Sequence, residues 1–250
     1  MRKLSVVIIA WNEAANIGDC IDSVKDIADD LVVVDSGSND GTQAIAESKG
    51  ARVIYHAFEG HIQQKNWAIS QAKSSFILSL DADEKLSEKL AESVLNAKND
   101  TADGYEMNRL NFYCGTAIIT CGLYPDSKLR LWNSSKGKWT GNNPHDRFEM
   151  DSNAVIVNLD GDILHNTFAT HQDFLSQIEK FSSISAKHLQ RQSYILLFTK
   201  MLLNPILRFV KIYFIKGGIT DGSIGFTICY HFSREVFLKY FKAIKLKFSA

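Results

Sequence analysis

Short runs of Val, Ile and Leu, separated by helix-length stretches, constrain this chain more than any other feature of its sequence. Leu4–Trp11 is a continuous apolar run, the pattern of a parallel strand buried on both faces, and it stops at Asn12 and Glu13. A helix is expected from about Glu13 to Lys25. Leu31–Val34 is a second run ending at Asp35, after which Asp40 and Gln43 have the spacing of a capping box for a helix stopped by Gly50. Arg52–Tyr55 reads as a third strand, and a helical stretch His61–Lys73 leads to a fourth, Ser75–Leu80, which runs straight into Asp81, Ala82, Asp83 and Glu84. The repeated β-α order predicts an α/β fold with a doubly wound, mostly parallel sheet.

Beyond about residue 100 the alternation weakens. Aromatic and Gly-containing segments such as Asn111–Thr116 and Trp132–Pro144 suggest antiparallel strands and long loops. No internal repeat or linker-like tract interrupts the chain. The reading is therefore a domain over residues 1–185, divided into a nucleotide-binding half (1–100) and an acceptor half (101–185), followed by a basic amphipathic helical region over residues 186–250.

Charge supports that last boundary. The formal net charge is zero, yet residues 186–250 hold eleven Lys or Arg against two Asp or Glu, so the tail is +9 and the body −9. An acidic body suits divalent metal, and a basic apolar tail suits anionic lipid better than nucleic acid. Residues 194–215 are long and apolar but are interrupted by Lys200, Arg208 and Lys211. With Asn204 these fall within a sector of about 80° on a helix, leaving a broad apolar face. The pattern predicts a helix in the membrane interface, kinked at Pro205, with its cations reaching headgroups. The competing reading is a helix packed on the protein with a solvated basic stripe. Cys20, Cys114, Cys121 and Cys229 form no CxxC pair, which argues for reduced thiols in the cytoplasm and against a zinc site. The early apolar run ends too soon for a signal sequence.

Asn12, Glu13, Asp35, Asp81 and Asp83 share one placement, just beyond the carboxyl ends of expected parallel strands, where ligands of open α/β sheets bind. A single Asp there is more often a turn residue. Several on one rim repel one another, and a divalent cation with a bound diphosphate would relieve that. No GxGxxG occurs, against a dinucleotide-binding reading.

The ordered set Val6–Glu13, Val32–Thr42, Gln64-Lys65-Asn66 and Leu78–Glu84 resembles the family 2 glycosyltransferases of the GT-A fold. The resemblance extends to the lipopolysaccharide core β-glucosyltransferase subgroup through Leu129-Arg130-Leu131-Trp132, Asn143-Pro144-His145-Asp146, His165, Phe181-Ser182 and Gly217–Gly222. His145-Asp146 stands where the subgroup commonly has His-Glu, a carboxylate one methylene shorter. The resemblance implies a nucleotide-sugar donor, Mg²⁺ or Mn²⁺, and a lipid-linked or lipopolysaccharide/polysaccharide glycan acceptor. The enzyme would be peripheral on the inner face of the cytoplasmic membrane.

It implies that Asn12, Glu13 and Asp35 cradle the nucleoside and that Lys65 meets the diphosphate. Asp81 would face ribose and metal, Asp83 would hold the metal, and Asp146 would be the base that deprotonates the acceptor for an inverting transfer. Arg130 and His145 join the substrate-binding set, and His165 is a further metal candidate beside the reading of both histidines as structural. Asp146 pairing with Arg147 or Arg130 is the structural alternative to the base. Transfer onto a polyprenyl phosphate and, more distantly, nucleotidyl transfer are the rival activities. Gly217–Gly222 reads as a tight turn between two helices.

Overall fold

The computed structural model describes residues 1–142 and 145–248, with the backbone alone at Asn142 and His145. The first strand, β1 (Leu4–Ala10), is followed by α1 (Ile17–Asp22), β2 (Asp30–Asp35), α2 (Thr42–Ser48), β3 (Arg52–Tyr55), α3 (His61–Ser70) and β4 (Phe76–Asp81). These are the expected strands and helices in the expected order. The pairs β1–β2, β1–β4 and β2–β3 are all parallel. Burial on both faces explains the unbroken apolar runs: Leu4, Val6 and Ile8 join one core cluster, and Val7 joins another with Val32 and Val34. Each such side chain contributes roughly 1.5–3 kcal/mol by leaving water.

Two local expectations are corrected. The first helix begins at Ile17, because Asn12 is left-handed (φ 55°) and the amides of Asn16 and Ile17 turn back onto the Glu13 carbonyl. Asp40 and Gln43 do not form a capping box. Gly41, at φ 96°, occupies the position before α2, while the Asp40 carboxylate accepts from the Thr42 and Ala14 amides and Gln43 reaches Asp35 instead.

The chain continues through β5 (Glu84–Leu86), α4 (Glu88–Ala97), β6 (Gly104–Tyr113), β7 (Thr116–Ile118), β8 (Ser127–Asn133), β9 (Gly137–Asn142), β10 (His145–Met150) and β11 (Ile156–Phe168). Among the described residues one sheet runs β3-β2-β1-β4-β8-β6-β11-β5, with β7 on β6, and β9–β10 form a separate antiparallel pair. The sheet is parallel as far as β4; β8 pairs antiparallel with β4, and β5 antiparallel with β11.

By contacts the chain divides into two compact units, residues 1–110 with 126–165, and residues 111–125 with 166–250. The second holds α5 (His171–Leu189), α6 (Tyr194–Val210) and α7 (Gly222–Phe248). Thr170 and Asp173 form a reciprocal capping box at the start of α5. The excursion 111–125 belongs with these helices because Tyr113, Ile118 and Cys121 share a buried cluster with Phe174, Ile212 and Ile228. Pro205 lies inside α6, which gives way to a single π-helical turn, Lys211–Ile215. The turn into α7 is tight, as expected: Gly217 and Gly222 have φ of 73° and 57°. Gly225 is packed so closely that a Cβ there would lie 1.9 Å from the Gly218 carbonyl oxygen. No helix among the described residues is long and apolar enough to cross a membrane.

Candidate active site

The ends of β1, β2 and β4 bring the predicted rim residues into the first unit. Asn12 links two loops: its amide donates to Ser38 Oγ and its Oδ1 accepts from the Asn39 amide, both within 2.9 Å. Its left-handed backbone is one that Asn tolerates better than most residues. Trp11 beside it is 65% exposed. Glu13 donates its amide to Thr42 and accepts from Asn16. Burial, with the nearby charges of Asp83, Asp40 and Asp81, holds its carboxyl above the usual range despite the Asn16 bond.

Asp35 is fully buried, and its carboxylate is engaged by the Gly37 and Ser38 amides, the Ser38 hydroxyl and Gln43 Nε2. In this structure it fixes the loop after β2. Buried Gln64 supports the same region, donating to Ser36 and facing His56 Nδ1 at 2.8 Å.

The carboxylates after β4 do not stand bare. Asp81 meets two buried cations, with Lys65 Nζ at 3.1 Å from Oδ1 and Arg130 Nη2 at 3.0 Å from Oδ2. Burial pushes its carboxyl up, but Lys65 and Arg130 outweigh that and hold it well below the aspartate range. Arg130 also donates to buried Glu84 at 2.7 Å; burial alone would lower the guanidinium pKa, and Glu84 and Asp81 instead raise it. The Glu84 carboxylate is further bound to the Asp81 amide, and Arg109 lies 3.5 Å away.

Lys65, on α3, joins this network to Asp146 on β10 through a 2.8 Å ion pair. Its ammonium also lies 4.5 Å from the centre of the Trp139 ring. Asn66 fastens α3 to β9, donating to the Trp139 carbonyl and accepting from its amide. Trp132, Trp139 and Phe148 are buried together, so these tryptophans pack rather than face a ligand.

Two sequence expectations change here. The converging carboxylates have cationic partners, and neither anticipated structural pairing of Asp146 occurs. Arg130 is committed to Asp81 and Glu84, Arg147 bonds Glu149, and Lys65 holds Asp146. Asp83 points elsewhere, with its Oδ2 3.1 Å from His165 Nε2. The β11–β5 register, which sets His165 opposite Glu84, explains that meeting. Among the described residues no group of three or more His, Cys, Asp or Glu side chains is gathered to hold a metal. The His145 side chain, like Asn143 and Pro144, lies outside the described residues. Glu84 and Arg109 are the network members that sequence reasoning missed. Glu84 had a signal, since it alternates with Ala82 into the core directly after the Asp pair.

With this geometry in view, the profile of glycosyl transferase family 2 matches residues 5–149. An uncharacterized glycosyltransferase of Rickettsia prowazekii is 30% identical over 99% of this chain and 89% of its own length. The lipopolysaccharide core biosynthesis glycosyltransferase LpsC of Rhizobium meliloti is 29% identical over 89% and 85%. A structure of Mycobacterium tuberculosis glucosyl-3-phosphoglycerate synthase with Mn²⁺, UDP and phosphoglyceric acid aligns over 45% of this chain and 43% of that one. Its identity is 25% and its TM-score 0.38.

Proposed function

We propose, from the premise that the chain belongs to glycosyl transferase family 2, that it is an inverting enzyme moving a sugar from a nucleotide-diphosphate donor, UDP-linked, to a lipid-linked or lipopolysaccharide glycan. The observation that carries this reading is the joining of Asp81 and Asp146 by one buried lysine, with the charges of Asp81 and Asp83 both acting on Glu13. A diphosphate needs cations and a sugar acceptor needs a base. Lys65 and Arg130 supply the first and Asp146 the second. Asn12, Glu13 and Asp35 frame the nucleoside side, Asp35 through the loop it holds. His145 is proposed for the acceptor side from its sequence position alone.

The carboxylates of Asp83 and Asp81 are oxygen donors of the kind Mg²⁺ and Mn²⁺ prefer, and an ion held by so few side chains would keep positions for phosphate. Asp83 would be the better ligand, since Asp81 already carries two cations, and His165, 3.1 Å from Asp83, would orient it or ligate beside it. A bound ion there would neutralise charge on the departing diphosphate. Lys65 donates to the Asp146 carboxylate and would hold it in position for an incoming hydroxyl.

The name of the Rhizobium relative supports the acceptor class, and the location that goes with it in this reading is the inner face of the cytoplasmic membrane. Calorimetric titration with UDP tests the donor half. Affinity should be measurably higher with Mn²⁺ or Mg²⁺ than with EDTA, and Asp83→Ala should remove the difference. Equal affinities in the wild type would end the metal reading.

A further inference from the structure

The second unit leaves outward the broad apolar face anticipated for residues 194–215. Part of the polar stripe turns toward the protein: Asn204 donates to the Tyr240 hydroxyl of α7 and Lys200 is held by Gln192, while Arg208 and Lys211 stay exposed. The apolar face looks outward. Ile195, Leu202 and Ile206 are 82%, 50% and 63% exposed, and on a helix they share a sector of about 40°.

The neighbouring helix repeats the pattern. Phe226, Phe237 and Phe241 of α7 are 38–50% exposed and lie within about 60° of one another. The helices run antiparallel, since Phe209 meets Phe226 at 5.8 Å while Tyr194 meets Phe248 at 5.0 Å. On α6 Phe209 and Asn204 are about 140° apart, and on α7 Phe226 and the rest of the aromatic sector lie to one side of Tyr240. The exposed sectors of both helices belong to the Phe209 flank and form one surface.

We infer that α6 and α7 lie side by side in the interface of an anionic membrane, seating this two-helix surface at the level where headgroups meet acyl chains. The inference rests on the proposed inner-face location and extends the single interfacial helix anticipated there to a surface built from two helices. Charge chooses lipid over a second copy of the chain. Arg234 and Lys245 are exposed and border the aromatic sector of α7. The only acids in residues 186–250 are Asp221, bonded to the Thr120 hydroxyl, and Glu235, which falls on the other flank of α7. A face-to-face dimer would crowd cations together without a carboxylate, whereas lipid phosphates would pair with them. Aromatic side chains flanked by cations suit that interfacial depth.

Flotation of the full chain with vesicles tests this, using phosphatidylcholine alone and phosphatidylcholine mixed with phosphatidylglycerol, at about 0.1 M and about 1 M salt. Wild type should bind the anionic vesicles more strongly at low salt and keep a salt-resistant remainder. The double variant Phe237→Ser/Phe241→Ser should lose at least about tenfold in partitioning at both salts. Arg234→Gln/Lys245→Gln should lose only the salt-sensitive part, and Lys200→Gln/Lys211→Gln should bind much as wild type does. Circular dichroism and UDP titration on each variant report folding and the donor site. If the phenylalanine variant fails to fold, Ile206→Ser carries the same test from α6. Unchanged vesicle binding by the folded apolar variants overturns the inference. So does loss of binding in the Lys200/Lys211 variant, or a concentration-dependent wild-type dimer that does not bind vesicles and is dispersed by the phenylalanine changes. Vesicle binding without UDP affinity would sink the proposed reaction and leave the membrane surface standing; the reverse result would do the opposite.

Discussion

The first unit keeps charge inside, while the second keeps apolar side chains outside. Around Lys65 six charged groups are joined by ion pairs, and three of them, Lys65, Arg130 and Glu84, are almost wholly buried. On α6 and α7 leucine, isoleucine and phenylalanine face outward, with cations at the border. Each departs from the ordinary rule of apolar interior and polar surface. The comparison teaches that the departures have different physical sources. Buried charge requires partners already in place, as a site built to receive an ionic ligand does. Exposed apolar surface requires a partner from outside the chain.

The difference predicts opposite sensitivities. The largest stability effect belongs to Lys65→Met, which leaves Asp146 and one side of Asp81 without their cation. Removing one member of a buried pair costs about 3–5 kcal/mol, so denaturant melts should shift strongly and turnover should collapse with them. The acid limb should change as well. The Asp81 carboxyl is held low in the folded chain, so its stabilisation is fully present above the ordinary aspartate value near 3.8 and is lost as pH falls below it. Without Lys65 that loss should be smaller. A variant with wild-type stability and an unchanged acid limb would break the comparison on the first unit's side.

In the second unit the sensitive feature is closeness. Gly225→Ala puts a methyl group against the Gly218 carbonyl, and overpacking of this kind costs about 1–3 kcal/mol. Thermal melts should register it while UDP affinity stays unchanged. Unaltered melting would mean the turn before α7 yields easily.

The smallest effect is expected at Glu13. Burial raises its carboxyl pKa, so its ionisation costs stability as pH climbs from the ordinary value near 4.5 through the folded one. Glu13→Gln should therefore raise the melting temperature slightly at neutral pH and leave it unchanged at about pH 3. A decrease at neutral pH would show that the ionised form is favoured in the folded chain.

The parallel half of the sheet was legible because its strands are buried on both faces, and Leu4–Ala10 and Asp30–Asp35 carry that condition as unbroken apolar runs. The start of α1 was not, since a left-handed Asn12 leaves no periodic trace. Strand-end placement located Asp81 and Asp83, but their partners come from elsewhere in the chain. Arg130 arrives on the antiparallel neighbour of β4, and His165 through the β11–β5 register, neither of which local pattern encodes. On α6 the sequence correctly grouped Lys200, Asn204 and Arg208. Periodicity gives angles between residues and not the direction the group faces, so only the Asn204–Tyr240 bond reveals which side is inward.

The central claim, that the Lys65-centred site performs sugar transfer with Asp146 as base, is tested most directly by single-turnover transfer in Asp146→Asn beside a donor titration. The amide can still accept from Lys65, so the network should hold and donor affinity should change little. Losing a positioned base should lower turnover by about 10²–10⁴. A folded Asp146→Asn enzyme keeping more than about a tenth of wild-type turnover would contradict the account.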